Sequence, residues 1–460
     1  MEKFREITGP DYVFTHEDVI IEYSHDFTEN LVFPPDAVII PGNSAEISEI
    51  LRYCNSQGIA VTVSGARTGL SGGMLPVQGG LILSTERLNQ ILEIDRRNFQ
   101  VTTQPGVITQ VLQDAVEKHG LFYPVDPASR GSCFIGGNIA ESAGGMRAAK
   151  YGITRDFVLN LEVVLANGEI IFTGSRTWKN STGFDLTRLF VGSEGMLGVI
   201  TAATLKLIHL PRHRILMLIP FVSGAEACEA VSEIYLSGLI PSAIEFMESE
   251  AIHFAQEFLG EKRFDLEGIE AHLLLEFDGN EKDMLLRESE MVFSLLEKFK
   301  CGEALLAETP DEQERLWKVR RSIGEATRSV AIVKEEDTCV PRAELAKLWK
   351  FAKSKTSAAG IHAMCFGHAG DGNLHIHMLK DKSDPSAWEA KANPVIREIF
   401  QYAVSLGGTI SGEHGIGWAQ KDFLDIAVGS QGIELMKGIK DLFDPNGILN
   451  PGKMFPKKDK

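Results

Sequence analysis

Two short segments carry the residue types most able to do chemistry: Gly367-His368-Ala369-Gly370-Asp371-Gly372-Asn373-Leu374-His375 and Gly412-Glu413-His414-Gly415. His368, His375 and Glu413 offer two neutral imidazole nitrogens and one carboxylate oxygen. That donor set suits a divalent Zn, Fe or Mn ion and leaves coordination positions open. An open position is what a catalytic metal needs to grip and polarise a substrate oxygen. His414 adjoins a ligand and is suited to moving a proton. Any one of these histidines alone reads as a buried, hydrogen-bonded turn residue; the constellation reads as a site.

A second group of candidates lies in the first 200 residues, where four Gly-rich segments crowd together: Ser64 to Gly73, Asp126 to Ser129, Ile135 to Gly145, and Gly192 to Gly198. Glycine lets backbone N–H groups converge on a ligand and lets that ligand approach closely. A diphosphate needs several such donors, so the four loops predict a dinucleotide site. No Gly-x-Gly-x-x-Gly with an acidic residue about 20 positions later is present, which argues against a nicotinamide-binding Rossmann domain. A nucleotide that carries its own redox ring, a flavin, accounts for both the loops and a metal downstream.

The elements that position these residues follow from periodicity. Ser44 reads as an N-cap, with Ile47, Ile50, Leu51 and Cys54 at helical spacing and Gly58 as the stop. Ile59 to Val63 reads as a buried strand running into the first Gly-rich loop. Val107 to His119 reads as a helix, and residues 160–172 as a hairpin with an Asn167-Gly168 turn. Beyond Pro211, strands (Ile215 to Phe221, Ala271 to Phe277) alternate with amphipathic helices (Ala225 to Ser237, Asp283 to Phe299), an α+β pattern with an antiparallel sheet. Residues 310–360 read as mainly helical. The metal motif falls on a strand–loop–strand, 364–366 and 374–379. A last helix, with Leu435, Ile439 and Leu442 on one face, ends at Asp444-Pro445.

Bulk properties exclude several classes. The 460 residues predict more than one domain. The formal net charge of −17 argues against nucleic-acid binding. Six scattered cysteines with no Cys-x-x-Cys pair form neither a disulfide framework nor an iron–sulfur motif, so a reducing cytoplasm is expected. The N-terminal residues lack the apolar stretch of a signal peptide, and no run of about 18 apolar residues predicts a transmembrane helix.

Pro35-Asp36-Ala37-Val38, the Ser64 to Gly73 loop, Gly136-Gly137-Asn138, Lys150-Tyr151-Gly152, Gly192-Ser193-Glu194-Gly195 and Asn450-Pro451-Gly452-Lys453 together resemble the vanillyl-alcohol-oxidase-type flavoproteins. The His368/His375/Glu413/His414 pattern resembles their FAD-dependent D-2-hydroxyacid dehydrogenase branch, which includes D-lactate dehydrogenase, the glycolate oxidase flavoprotein subunit and D-2-hydroxyglutarate dehydrogenase. The resemblance implies an α+β fold: a lead-in (1–30), a two-subdomain FAD-binding domain of the PCMH type (31–210), a cap with an antiparallel sheet carrying substrate and metal groups (211–445), and a tail returning to the flavin (446–460). It implies that the backbone of Gly65, Arg67, Thr68, Gly69, Leu70 and Ser71 meets the FAD diphosphate. Asp126, Ser129, Gly136, Gly137, Asn138, Ala140, Gly144 and Ile200 would line the rest of the cofactor, with Asn450 at the ring. Some relatives tether flavin through a loop histidine; the 64–73 and 126–152 segments contain none, so non-covalent FAD is expected.

By the same resemblance Arg320 is the arginine that clamps the substrate carboxylate, a task suited to a bidentate guanidinium. Gly324 stands where the hydroxyglutarate branch has a hydroxyl residue, which shifts the expectation to lactate-sized acids. Lys334 and His377 are further candidate substrate contacts. The implied reaction is oxidation of a small D-2-hydroxy acid, D-lactate first and glycolate next, with His414 as base. Electrons would pass to an electron-transferring flavoprotein, an iron–sulfur subunit or quinone. The alternatives are a D-2-hydroxyglutarate dehydrogenase, a flavin-holding scaffold inactive alone, and a non-redox flavoprotein of the same fold.

Overall fold

The computed structural model describes all residues except 263, 265, 382, 383 and 457–460. A seven-stranded, wholly antiparallel sheet dominates the C-terminal half. Its order is Leu305–Ala307, His213–Phe221, Ala271–Gly279, Ala243–Glu248, Ala363–Gly367, Asn373–Leu379 and Val333–Cys339. Alternation along a strand assigns its side chains to two cores. Ile215, Met217 and Ile219 pack on one face with helices Gly224–Leu236 and Leu345–Ala358. Leu216 and Leu218 pack on the other with Ser249–Leu259 and Pro310–Val330. Helices therefore cover both faces of the sheet, and a strand such as His213–Phe221 is apolar on both of its sides.

The N-terminal half holds two larger sheets, beside the two-stranded pairing of Ile208–His209 with Leu121–Phe122. One orders Val13–Phe14, Ala37–Ile39, Leu81–Ser84 and Val61–Ser64, with parallel pairing among the last three. The other is antiparallel, ordering Ile91–Asp95, Gln100–Thr103, Val199–Lys206, Val158–Val164 and Ile170–Phe172. The Ser64 to Gly73 loop leaves the end of Val61–Ser64, and the Gly192 to Gly198 loop leads into Val199–Lys206. The tail closes the fold: Val61 N–H donates to Ile448 O, and Asn450 N–H donates to Val61 O, so Leu449 lies parallel to Val61 at the edge of the first sheet.

Three local expectations differ from the structure. Asn43, not Ser44, caps the first long helix, its Oδ1 accepting from Glu46 N–H, with Ser44 one position inside. Residues 310–360 are mainly helical, as expected, but an unexpected strand, Val333–Cys339, lies between the helices at the edge of the large sheet, paired in register along Asn373–Leu379. The charged run Lys334-Glu335-Glu336-Asp337 hides it from a hydrophobic-pattern reading. In the last helix, Leu424–Phe443, the buried residues are Leu424, Ile433 and Lys440, while Leu435 and Leu442 are exposed. Lys440 is inside because its ammonium donates to Met196 O and Leu449 O and pairs with Asp444.

Candidate functional site

His368 ends strand Ala363–Gly367, and His375 lies on the neighbouring strand Asn373–Leu379. The turn between them needs Gly372, whose φ is +82° and whose Cβ would stand 1.9 Å from the Val340 carbonyl oxygen. The 411–414 loop closes over both strands. His368 Nε2 lies 3.0 Å and His375 Nε2 3.6 Å from the same Glu413 Oε1. The His375 and His414 rings stack at 5.2 Å between centroids and 6° between planes. His414 Nε2 is 3.9 Å from Glu413 Oε1. The histidines and the carboxylate singled out in the sequence thus converge.

Residues that sequence reasoning missed hold them there. Asp337, on the unforeseen edge strand, is fully buried. Its Oδ2 accepts from the backbone N–H groups of Gly412, Glu413 and His414 at 2.9, 2.7 and 2.8 Å and from Ser411 Oγ at 3.0 Å. Its Oδ1 accepts from Asn373 Nδ2 at 2.7 Å, tying the loop to the His375 strand. Glu335, two residues away on the same strand face, lies 3.0 Å from His377 Nε2 and 3.9 Å from His414 Nε2. Glu245 receives His368 Nδ1 at 2.9 Å. The one sequence signal that pointed here was the break set by Pro341 after Val333 and Thr338.

The electrostatics are those of a pocket built for a cation. Burial alone would push Glu413 up, but the imidazoles of His368, His375 and His414 outweigh it and hold the carboxyl at about 2. Burial likewise opposes charge on His368, yet Glu245 and Glu413 raise it well above an ordinary histidine. His414 is raised against its burial by Asp337, Glu335 and Glu413. Asp337 and Glu335, though buried, are held far below the usual carboxylate range by neighbouring imidazoles. Four carboxylates around these imidazoles favour protons or a metal ion. His368, His375 and Glu413 offer ligand atoms that all lie within 4.8 Å of one another, and so do Glu335, His375 and His414. The donor chemistry fits a divalent ion, and Glu245 behind His368 is the outer partner that orients a ligating imidazole.

The His cluster forms part of the wall of a cavity of about 1040 Å³. The Gly-rich loops line the same cavity, through Gly65, Arg67, Thr68, Gly69, Leu70, Ser129, Gly136, Gly137, Asn138, Ala140 and the 193–195 segment, with Ile200. At Gly137 a Cβ would meet nothing within 4 Å, so the absent side chain is cavity space. The volume and glycine lining fit a dinucleotide. Four expected contacts sit behind this wall. Ser71 O accepts from Trp418 and Ala419 N–H. Asp126 is buried and receives both Arg321 Nη atoms and Arg147 Nη1. Gly144 backs onto Glu413, 3.0 Å from where its Cβ would be. Asn450 Nδ2 donates to Gly73 O and Glu194 O, stapling two Gly-rich loops together.

The candidate substrate groups differ in placement. Arg320 borders the cavity, and its Nε and Nη2 both lie against the same Glu245 Oε2, at 2.7 and 2.6 Å. Lys334 pairs with Glu29 at 3.0 Å and lines a separate narrow crevice. His377 is wholly buried behind Glu335 and does not line the cavity.

Comparison with known proteins assigns both halves of the chain to FAD-linked families. Residues 35–174 match the FAD binding domain family, and residues 210–454 match the C-terminal domain of FAD linked oxidases. The chain is 40% identical over 461 residues to the glycolate oxidase subunit GlcD of Bacillus subtilis, covering 99% of this chain and 96% of that protein. It is 37% identical over 462 residues to a D-lactate dehydrogenase of Anaerostipes hadrus, covering 99% and 96%. The fold is similar to that of p-cresol methylhydroxylase with substrate bound, at a TM-score of 0.80 and 18% identity, over 100% of this chain and 97% of that one.

Proposed function

Since the chain belongs to the FAD-linked oxidases, within their D-2-hydroxyacid dehydrogenase branch, we propose that it oxidises a small D-2-hydroxy acid, D-lactate before glycolate, to the 2-oxo acid. One observation carries this reading: His368, His375, Glu413 and His414 share a cavity with the Gly-rich cofactor loops. FAD, when bound, supplies the acceptor for the two electrons and the hydrogen that leave C2. A divalent Zn, Fe or Mn ion on His368, His375 and Glu413 supplies Lewis acidity toward the 2-hydroxyl.

The chain's own residues do the rest. His414 Nε2 takes the hydroxyl proton, and Glu335, Asp337 and Glu413 stabilise the resulting imidazolium. Asp337 fixes the His414 backbone, so the ring is presented without reorganisation. Four arginines border the cavity (Arg67, Arg320, Arg321 and Arg328) and offer cationic partners to an anionic substrate. FAD is held without a covalent tether, since the Gly-rich loops carry no histidine. Electrons leave to a protein or quinone acceptor. The six cysteines are free, in keeping with a reducing cytoplasm. No helix among the described residues is long and apolar enough to cross a membrane.

The test is anaerobic bleaching of the bound flavin by D-lactate, L-lactate, glycolate and D-2-hydroxyglutarate, before and after chelation. Bleaching by D-lactate that chelator abolishes and metal restores is the expected result. Bleaching by D-2-hydroxyglutarate alone would reassign the substrate, and bleaching by none would leave the scaffold reading.

A further inference from the structure

The loop 411–419 carries Glu413 and His414 and is tied to two different parts of the molecule. Its first half is held by the large sheet, where Asp337 Oδ2 accepts from the N–H groups of Gly412, Glu413 and His414. Its second half is docked on the N-terminal half of the chain. The two carboxylate oxygens of Glu194 accept separately, from Ile416 N–H at 2.8 Å and from Gly417 N–H at 2.7 Å. Ser71 O accepts from Trp418 and Ala419 N–H at 2.8 and 3.0 Å, and Gly417 O accepts from Met454 N–H at 2.7 Å. The approach is close: a Cβ on Gly417, whose φ is +50°, would stand 2.2 Å from Ser71 O.

Glu194 itself belongs to the cavity wall. It is buried in the Gly192 to Gly198 loop and lines the cavity with Ser193 and Gly195. Its N–H donates to Ala140 O at 2.9 Å, and its carbonyl accepts from Asn450 Nδ2 at 2.6 Å. Its φ is +51°, a left-handed conformation that glycine takes freely and glutamate does not. The backbone here gives no reason for a glutamate, whereas the side chain does. It reaches the peptide groups two and three residues beyond His414.

We propose that Glu194 is a positioning residue that couples the two cofactor sites, so that a dinucleotide seated on the Gly-rich loops strengthens divalent-metal binding at His368, His375 and Glu413. This rests on the cofactor assignments of the reading above. Both halves of the loop must be in place for Glu413 to face His368 and His375. Order imposed at Ile416 and Gly417 from a filled cofactor cavity is order that the ion does not have to impose. Linkage of this kind is reciprocal, so the ion strengthens dinucleotide binding by the same factor.

The experiment uses the full-length chain loaded with FAD and Zn²⁺, as wild type, Glu194→Gly and Glu194→Gln. The FAD Kd is read from flavin fluorescence released on dilution, with Zn²⁺ bound and after its removal by chelator. The Zn²⁺ Kd of the FAD-loaded protein is read by competition with a chromophoric chelator. Removing Zn²⁺ should raise the wild-type FAD Kd about 5- to 100-fold. Glu194→Gly accepts the left-handed backbone and deletes only the carboxylate. Its ratio should fall to within about twofold of one, and its Zn²⁺ Kd should rise by the factor that the ratio loses. Glu194→Gln keeps an acceptor for one of the two N–H groups and should fall between; it replaces the glycine variant if that one does not retain flavin. A glutamate that merely stabilised the fold would weaken both ligands and leave the ratio unchanged. A full wild-type ratio in Glu194→Gly, a wild-type ratio of one, or a wild type that binds no Zn²⁺ overturns the proposal. Flavin bleaching by D-lactate on the same samples reports on the hydroxy-acid reading separately. Bleaching without linkage sinks the coupling and spares that reading, and linkage without bleaching by any hydroxy acid does the reverse.

Discussion

Glu245 and His368 are 123 residues apart in sequence, yet both carboxylate oxygens of Glu245 stand 2.9 Å from His368 Nδ1, in a place with no access to water. The contact fixes the ring so that Nε2 points at Glu413. It also engages Arg320, so one buried carboxylate binds a prospective metal ligand to the long helix of the cap. Glu245→Gln should weaken metal binding about 10- to 100-fold. Metal content after dialysis, set against an unchanged flavin-to-protein ratio, is the readout. Full metal retention would show that His368 needs no such partner.

The Asp337 carboxylate holds the His414 backbone, and the His414 ring stacks on His375. His414→Asn should keep FAD and metal and slow flavin reduction by D-lactate by about 10²- to 10⁴-fold. Stopped-flow reduction at saturating substrate measures it. A rate within a few-fold of wild type would remove His414 from the proton-transfer step.

Asp26 offers a pH test away from the metal cluster. It lies at the cavity wall, accepts from Thr28 N–H at 2.9 Å through Oδ1, and leaves Oδ2 buried without a partner among the described residues. Burial raises its carboxyl to about 6, above its unfolded value. The folded state therefore holds that proton more tightly than the unfolded chain. The group's favourable contribution is full below pH 4 and is lost as pH rises through 6. Asp26→Asn keeps the Oδ1 acceptor and removes the charge. It should raise stability at pH 7.5 by on the order of 2 kcal/mol, with no gain at pH 4. Thermal unfolding at the two pH values decides it, and an equal effect at both would refute the electrostatic account.

Gly372 sets the spacing between the two metal-motif strands. Gly372→Ala must abandon a positive φ and move a Cβ away from the Val340 carbonyl. A stability loss above about 1 kcal/mol is expected, together with a lower metal content. A variant as stable as wild type and fully metallated would show that the turn tolerates rearrangement.

Much of the architecture was legible from local patterns. The apolar runs Ile215 to Phe221 and Ala271 to Phe277 forecast strands of the large sheet, and the helix after the first, Gly224–Leu236, falls within a residue of expectation. The edge strand Val333–Cys339 was not legible. Its polar residues, Lys334 to Asp337, are strand residues only because Asn373–Leu379 supplies a partner for the backbone and the histidines supply partners for Glu335 and Asp337. The Leu435, Ile439 and Leu442 face was misread in part: apolar spacing marks a stripe, but of the three only Ile439 packs against a core, while Leu435 and Leu442 are exposed.

By itself the sequence determined which residues are able to do chemistry. Imidazole, carboxylate and guanidinium groups act through their own donors and acceptors, and glycine loops are recognisable wherever they occur, because both properties belong to single residues and short spacings. The tertiary structure alone decided which groups are free to act. Arg320 and Arg328 are the same amino acid, two turns apart on one helix, but Glu245 meets the first at 2.6 Å where it is buried, and Glu335 meets the second at 3.5 Å where it is partly exposed. That difference comes from strands more than 70 residues away in sequence, since Glu245 lies 75 positions from Arg320. Side-chain availability is set by what packs alongside, and a linear pattern does not contain it.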